Sequence, residues 1–405
     1  MIERNEYIDT IRLWLGKPII KVLSGMRRVG KSTLLELLSP HALGPVLHIN
    51  MEWMESGPLM DAEALHRRVK EVFPQPNLNQ LLMIDEVQEI HGWERVVNSL
   101  HAQSWCDILL TGSNAKVFSG ELATLLAGRY VKIPVYPLSL AEFLEFRGLN
   151  VESLRRSDID EEFYLWLRWG GLPGLHRIGF APDAPDSDLL RNEYLLGIFE
   201  TVVLKDVVLR NQVRDPAFLD RLIRYAFDNT GRMFSASSIR DWMKAQKSTV
   251  SLETVQNYIR FIADAQLIYT LPRSDVAGKR LLAYNEKLYI SDLGLRHALL
   301  GYRANDIGQL LENVVLLELL RRRYVVSVGQ QGGKEIDFVA DRGGERLYIQ
   351  VAYLLASPET IDREFSALEA VQDHFPKIVL SMDASSFASR NGIQHRYLPD
   401  WLLHG

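Results

Sequence analysis

Eight residues near the amino terminus restrict the possible folds more than anything else in the chain. Gly25-Met26-Arg27-Arg28-Val29-Gly30-Lys31-Ser32 fits G-x-x-x-x-G-K-[ST] at every fixed position, between an apolar run, Ile19 to Ser24, and a helical one, Thr33 to Leu38. Glycines in such a loop let backbone N–H groups turn inward around phosphates, and the helix behind adds its positive amino-terminal end. The predicted nucleotide contacts are Gly25, Arg28, Val29, Gly30, Lys31, Ser32 and Thr33, with Lys31 on the β- and γ-phosphates. ATP is the expected ligand. The Ser32 hydroxyl is expected to take one position on Mg²⁺, whose other ligands are mostly water and phosphate oxygens.

The surrounding pattern agrees. Five short aliphatic runs punctuate the first third: Ile19 to Ser24, Pro45 to Asn50, Leu81 to Asp85, Asp107 to Gly112 and Val131 to Val135. Helical patterns separate several of them, which predicts an α/β fold with a parallel sheet covered on both faces and ligands at the carboxyl ends of its strands.

Leu81-Leu82-Met83-Ile84-Asp85-Glu86 is an apolar strand that ends in two acids. A buried strand tolerates this only where the pair emerges facing a cation. Asp85 is therefore the second expected magnesium residue, and Glu86 the group that orients and polarises the attacking water, with Lys31 and Glu86 as catalytic residues. The fourth run ends in Thr111-Gly112-Ser113-Asn114, so Ser113 or Asn114 is placed to sense a γ-phosphate. Arg129, just before the fifth run, has two readings: a structural arginine, or a third catalytic residue that stabilises charge on the transferred phosphoryl, in cis or from a neighbouring subunit.

At 405 residues the chain is longer than a single core usually grows, and its net charge of −5 is spread without blocks, so no polyanion-binding tail is present. No run approaches the roughly 18 apolar residues of a membrane span, no secretory signal opens the sequence, and Cys106 is its one cysteine. A reducing cytoplasm and no membrane partner are the expectation.

Beyond Leu138 the apolar spacing turns helical to about Arg214, interrupted by a Pro- and Asp-rich stretch, Ala181 to Asp188, expected as an exposed loop. Helices over Phe218 to Phe227, Ser235 to Ala245 and Ser251 to Ala265, then an extended Leu267 to Leu271, give a winged-helix outline. The last hundred residues switch to mixed α and β, with helix Leu310 to Arg322, strands Tyr324 to Val328, Glu335 to Ala340, Leu347 to Val351 and Lys377 to Ser381, and a hairpin turn at Arg342-Gly343-Gly344-Glu345. The expected domains are a P-loop core over 1–137, a helical lid over 138–215, a winged helix over 216–275 and a terminal domain over 276–405.

With these residues in hand, the chain resembles a prokaryotic family of AAA-type P-loop ATPases whose carboxyl portion is called domain of unknown function 4143. The resemblance rests on Gly25 to Thr33, Leu82 to Gln88, Thr111-Gly112-Ser113, Tyr136-Pro137-Leu138-Ser139 with Glu142-Phe143, Gly170-Gly171-Leu172-Pro173 and Glu335-Ile336-Asp337-Phe338. It implies an ATP-binding core, a winged-helix middle and a restriction-endonuclease-like end, and no cellular role.

Two weaker constellations follow. The third winged helix carries Glu253 and Asp264 beside Arg260 and lacks a basic stripe, while Arg240, Lys244 and Lys247 are available for phosphates, so duplex DNA and a protein both stand as partners. In the terminal domain Glu312, Asp337 and the strand Tyr348 to Ala352 follow the order of a metal-dependent nuclease core. Gln350 and Ala352 stand where that chemistry needs an acid and a lysine, which predicts a degenerate fold without the reaction. The leading expectation is an ATP-hydrolysing switch or motor; the rivals are an ATP-gated nuclease and a non-hydrolysing ATP-binding scaffold.

Overall fold

Apolar runs bounded by turn residues become the central strands of the first sheet. The computed structural model describes residues 2–115, 128–180, 186–245, 250–276, 280–384 and 389–405. Lys247 and residues 181–185 of the expected loop lie outside them. Contacts cluster into two units, Met1–Tyr136 with Asp264–Gln266, and Pro137–Ala263 with Leu267–Gly405.

The first unit runs α1 (Asn5–Arg12), β1 (Ile20–Ser24), α2 (Lys31–Leu38), β2 (Val46–Asn50), α3 (Ala62–Val72), β3 (Leu81–Asp85), α4 (Trp93–Ala102), β4 (Asp107–Gly112) and β5 (Tyr130–Pro134). Its sheet has the order β2-β3-β4-β1-β5, every pair parallel. Every residue of β1, β3 and β4 is buried, as in strands covered on both faces, whereas the edge strands β2 and β5 are partly exposed. One apolar core packs Ile20, Val22, Ile84 and Leu110 of the sheet against Leu65 and Val69 of α3 and Val97 and Leu100 of α4. Near the amino-terminal ends of the strands, Lys21 of β1 is buried and pairs with Asp107 at the start of β4.

The second unit begins with four helices: α5 (Leu140–Phe146), α6 (Arg156–Trp169), α7 (Leu175–Ile178) and α8 (Ser187–Val202). The Ser139 hydroxyl accepts from the Glu142 N–H and the Glu142 carboxylate accepts from the Ser139 N–H, a reciprocal cap that starts α5. There follow α9 (Pro216–Asp228), β6 (Met233–Ser235), α10 (Ala236–Ala245), α11 (Leu252–Asp264), β7 (Ile268–Asp275) and β8 (Arg280–Ile290). The remainder is α12 (Leu293–Leu300), α13 (Ile307–Arg321), β9 (Val325–Gln331), β10 (Lys334–Arg342), β11 (Glu345–Val351), α14 (Pro358–Glu369), β12 (Lys377–Ser381), β13 (Gln394–Tyr397) and α15 (Leu398–His404).

One eight-stranded sheet, in the order β13-β12-β11-β10-β9-β7-β8-β6, runs through this unit. The boundary expected between 275 and 276 is thereby corrected: it falls between β7 and β8, which pair antiparallel from Ile268↔Ile290 to Asp275↔Arg280. A hairpin shares its hydrogen bonds between both strands, so no domain edge can pass through it.

Candidate functional site

Parallel pairing carries the ends of β1, β3 and β4 to one edge of the first sheet. Ser24 is level with Gly112, Ile84 with Leu110 and Asn50 with Asp85. Gly25 through Gly30 leave that edge and turn directly into α2.

Two glycines make the turn feasible for different reasons. A Cβ on Gly25 would lie 2.4 Å from the Val135 carbonyl oxygen, a backbone contact that cannot yield. Gly30 caps α2 with φ +99°, in the region that side chains disfavour. Arg28 holds φ +68° without being glycine, local strain of the kind that gathers in binding loops, and its side chain is exposed. The loop is also pinned from behind, because the buried Arg4 guanidinium donates to the carbonyls of Val29 and Tyr136, each at 2.9 Å.

Lys31 is buried at the start of α2, where its ammonium donates to the carbonyls of Gly25 (2.9 Å) and Met26 (3.2 Å) and lies 3.8 Å from the Glu86 carboxylate. Ser32 and Thr33 follow it, both half-buried. Val29 is fully buried.

Asp85 ends β3 and Glu86 follows with φ +53°, so the backbone turns sharply between the two acids and sends them different ways. Burial works against the Glu86 charge, but Lys31 and Arg27 nearby, with hydrogen bonds from Gln88 and Ser113, outweigh it and hold its pKa below the ordinary glutamate value. Gln88 donates its amide N–H to the Glu86 carboxylate. Ser113 and Asn114, both fully buried, continue β4 at the same edge.

Thr111 is a residue that sequence reasoning did not assign. Its hydroxyl donates to the Asp85 carboxylate and accepts from the Glu86 N–H at 2.9 Å, so one buried side chain sets both acids. A threonine inside an apolar strand carries no local mark of that role. The same holds for Arg4, which precedes α1 and stands 25 residues before the Val29 it braces.

Arg129 stands elsewhere. It precedes β5, its backbone carbonyl accepts from Ile20 N–H at the start of β1, and its exposed guanidinium donates to Asn98. The phosphate loop leaves the far end of β1, five residues on, or about 17 Å away. The parallel pairing of β1 with β5 thus puts Arg129 at the edge of its own sheet opposite the phosphate loop.

The AAA domain family matches residues 17–144. A second family, described as Domain of unknown function (DUF8612), matches residues 161–306, which corrects the expectation of domain of unknown function 4143. One motif behind that expectation is set by packing: a Cβ on Gly171 would lie 2.5 Å from the Leu138 carbonyl, and the Gly171 N–H donates to the buried Asp292 at 2.7 Å. An uncharacterized protein of Haemophilus influenzae is 36% identical over 409 residues, covering 100% of this chain and 99% of its own length. Another, of Methanocaldococcus jannaschii, is 30% identical over 364 residues, 87% of this chain and 79% of its own. Among solved structures, the Walker-type ATPase PABY2304 of Pyrococcus abyssi superposes with a TM-score of 0.52 at 16% identity, over 74% of this chain and 96% of that one, a likeness of fold.

The parallel sheet, its phosphate loop and the AAA match define an ATP-binding P-loop protein of AAA type. Within that class, the chain belongs to the family of the Haemophilus influenzae and Methanocaldococcus jannaschii proteins. No helix among the described residues is long and apolar enough to cross a membrane.

Proposed function

We propose that the chain hydrolyses ATP and uses its nucleotide state to switch or drive a partner. The observation that carries this reading is the Glu86 carboxylate, buried yet kept ionised beside Lys31 and aimed by Gln88 and Ser113. A binding-only scaffold has no need of a carboxylate fixed in its charged form.

Lys31, with the N–H groups of the Gly25–Thr33 segment, binds the phosphates, and Glu86 orients a water and accepts its proton. Ser113 and Asn114 are the γ-phosphate sensors in this reading. The Ser32 hydroxyl and the Asp85 carboxylate are the oxygen donors a hard cation prefers, and Mg²⁺ held by them would supply neutralisation of phosphate charge. Arg129, exposed at the opposite edge of the sheet, suits a neighbouring subunit's nucleotide and would act only in an oligomer.

The helices α9, α10 and α11 followed by the β7–β8 hairpin support a winged-helix reading, and Arg240 and Lys244 are exposed on α10. Its partner, duplex DNA or a protein, is separated by salt: DNA affinity that falls steeply with salt and flattens in Arg240→Ala/Lys244→Ala supports DNA. The order α13, β10, β11 supports a restriction-endonuclease-like reading of the carboxyl end. Gln350 there donates its amide to Glu364 and Ala352 packs in the core, so the ATP-gated nuclease stays a rival that this chemistry disfavours.

Turnover of ATP by the purified chain tests the main reading. Lys31→Ala is expected to weaken ATP binding about 10- to 100-fold. Glu86→Gln is expected to keep ATP bound and slow hydrolysis by about 100-fold or more. Wild-type turnover in Glu86→Gln would remove Glu86 from the reaction, and ATP bound without turnover by the wild type would leave the scaffold reading.

A further inference from the structure

In the second unit, three carboxyl groups from two elements converge on a single buried ammonium. Lys287 of β8 is 4% exposed. Its Nζ lies 2.8 Å from Glu335 Oε1, 3.3 Å from Glu312 Oε2 and 3.8 Å from Asp337 Oδ1. Glu335 and Asp337 belong to β10 and Glu312 to α13, so the lysine reaches across the fold to meet them. It is able to do so because β7 pairs with β9 only over Arg273–Asp275, whereas Lys287 stands level with Leu271.

Other protein groups bond to the same carboxyls. Tyr289 donates its hydroxyl to Glu312 Oε2 (3.2 Å) and the Val351 N–H donates to Asp337 Oδ2 (2.9 Å). Gln350 accepts from the Asp337 N–H at 3.4 Å and donates to Glu364 at 3.0 Å, while Arg273 lies 3.8 Å from the outer oxygen of Glu335. Among the described residues no group of acids, histidines and cysteines is spaced to hold a metal ion.

Charge completes the picture. Burial opposes the Lys287 charge, but Glu312, Asp337 and Glu335 carry its pKa above the ordinary lysine range. Burial and then the Glu312 charge push the Asp337 carboxyl well above the usual carboxylate range. Lys287 and Arg273 are the cations beside these carboxyls, so removing the lysine leaves a deficit of positive charge that a divalent ion can fill.

We propose that the Lys287 ammonium is the built-in cation of this cluster, occupying the centre on which Glu312, Glu335 and Asp337 converge and keeping divalent metal ions out. The assignment is independent of ATP hydrolysis, and it explains what the absence of an acid at 350 and a lysine at 352 leaves open: what the three carboxyls do. They hold a side chain rather than an ion.

The test measures Mn²⁺ binding by electron paramagnetic resonance on the full chain, without nucleotide, in a Lys31→Ala background that weakens the phosphate-loop site. With Lys287 present, adding Asp337→Asn is expected to leave Mn²⁺ binding unchanged. Lys287→Met is expected to gain one Mn²⁺ site per chain, at least about 10-fold tighter than any in its parent, and Lys287→Met/Asp337→Asn to lose it. Mn²⁺ binding that Asp337→Asn abolishes while Lys287 is intact would overturn the proposal, as would a folded Lys287→Met that gains no site. If Lys287→Met unfolds, circular dichroism during Mn²⁺ titration reads the same question: recovery of the fold supports the proposal and no recovery refutes it.

Discussion

Replacing Thr111 with valine removes one hydroxyl from the site and almost nothing else, since the two side chains have nearly the same shape. The hydroxyl donates to the buried Asp85 carboxylate and accepts the Glu86 N–H at 2.9 Å, with Thr111 fully buried. Loss of a hydrogen bond to a charged group costs about 1.5–3 kcal/mol, and a buried N–H left without an acceptor costs about 1–3 kcal/mol. Valine at 111 is therefore expected to destabilise the first unit by about 2.5–6 kcal/mol. Freed from its tether, the turn at Glu86 shifts the carboxylate, and a displacement of about 1 Å at a reacting group is worth about 100-fold in rate. Thr111→Ser keeps the hydroxyl and should retain most of both properties. Urea unfolding monitored by tryptophan fluorescence measures the first effect, and single-turnover ATP hydrolysis the second. A Thr111→Val protein with wild-type stability and turnover would show that the hydroxyl sets neither acid.

Three further outcomes are expected. If Arg129 serves a neighbouring subunit, turnover per chain should rise with protein concentration, and Arg129→Ala should lose hydrolysis while binding ATP; concentration-independent turnover in a stable monomer excludes this. Asp292 is fully enclosed, and burial raises its carboxyl from 3.8 to about 6 against the hydrogen bonds from Gly171, Leu295 and Gly294. Its contribution to stability is thus complete below the unfolded value and lost as pH rises through the folded one, about 3 kcal/mol in all, so thermal melts of wild type and Asp292→Asn should diverge across that window. Finally, the chain should not cut single- or double-stranded DNA or RNA with Mg²⁺ or Mn²⁺; metal-dependent cleavage that disappears in Asp337→Ala would promote the nuclease reading.

The strands of the first sheet were the most legible part of the sequence, for a physical reason. β3 and β4 are buried on both faces, so their apolar runs are continuous and end where the acids and small polar groups emerge, at Asp85 and Gly112. β8 was not legible, because Glu286 and Lys287 interrupt its pattern with charge, and the satisfaction of Lys287 comes from α13 and β10, far along the chain. Arg129 was left open between cis and trans for a related reason: closeness in sequence to a strand does not say which end of the sheet the residue faces. Lys31, Asp85 and Glu86 could be identified as a group because their spacing itself encodes a strand, a loop and a helix, whereas Thr111 and Arg4 act through contacts that only the tertiary fold creates.

The hairpin of β7 and β8 also determines how the carboxyl two-thirds of this protein can be inherited and handled. A fragment ending at Asp275 would leave β7 with a bare row of N–H and C=O groups, and one beginning at Val276 would leave β8 equally uncovered, each a template for association with other chains. Gene fusion, limited truncation and fragment expression should therefore succeed only where they carry both strands together. The portion that carries β6, β7 and β8 and the terminal portion should melt as one cooperative transition, because one ladder of backbone hydrogen bonds joins them.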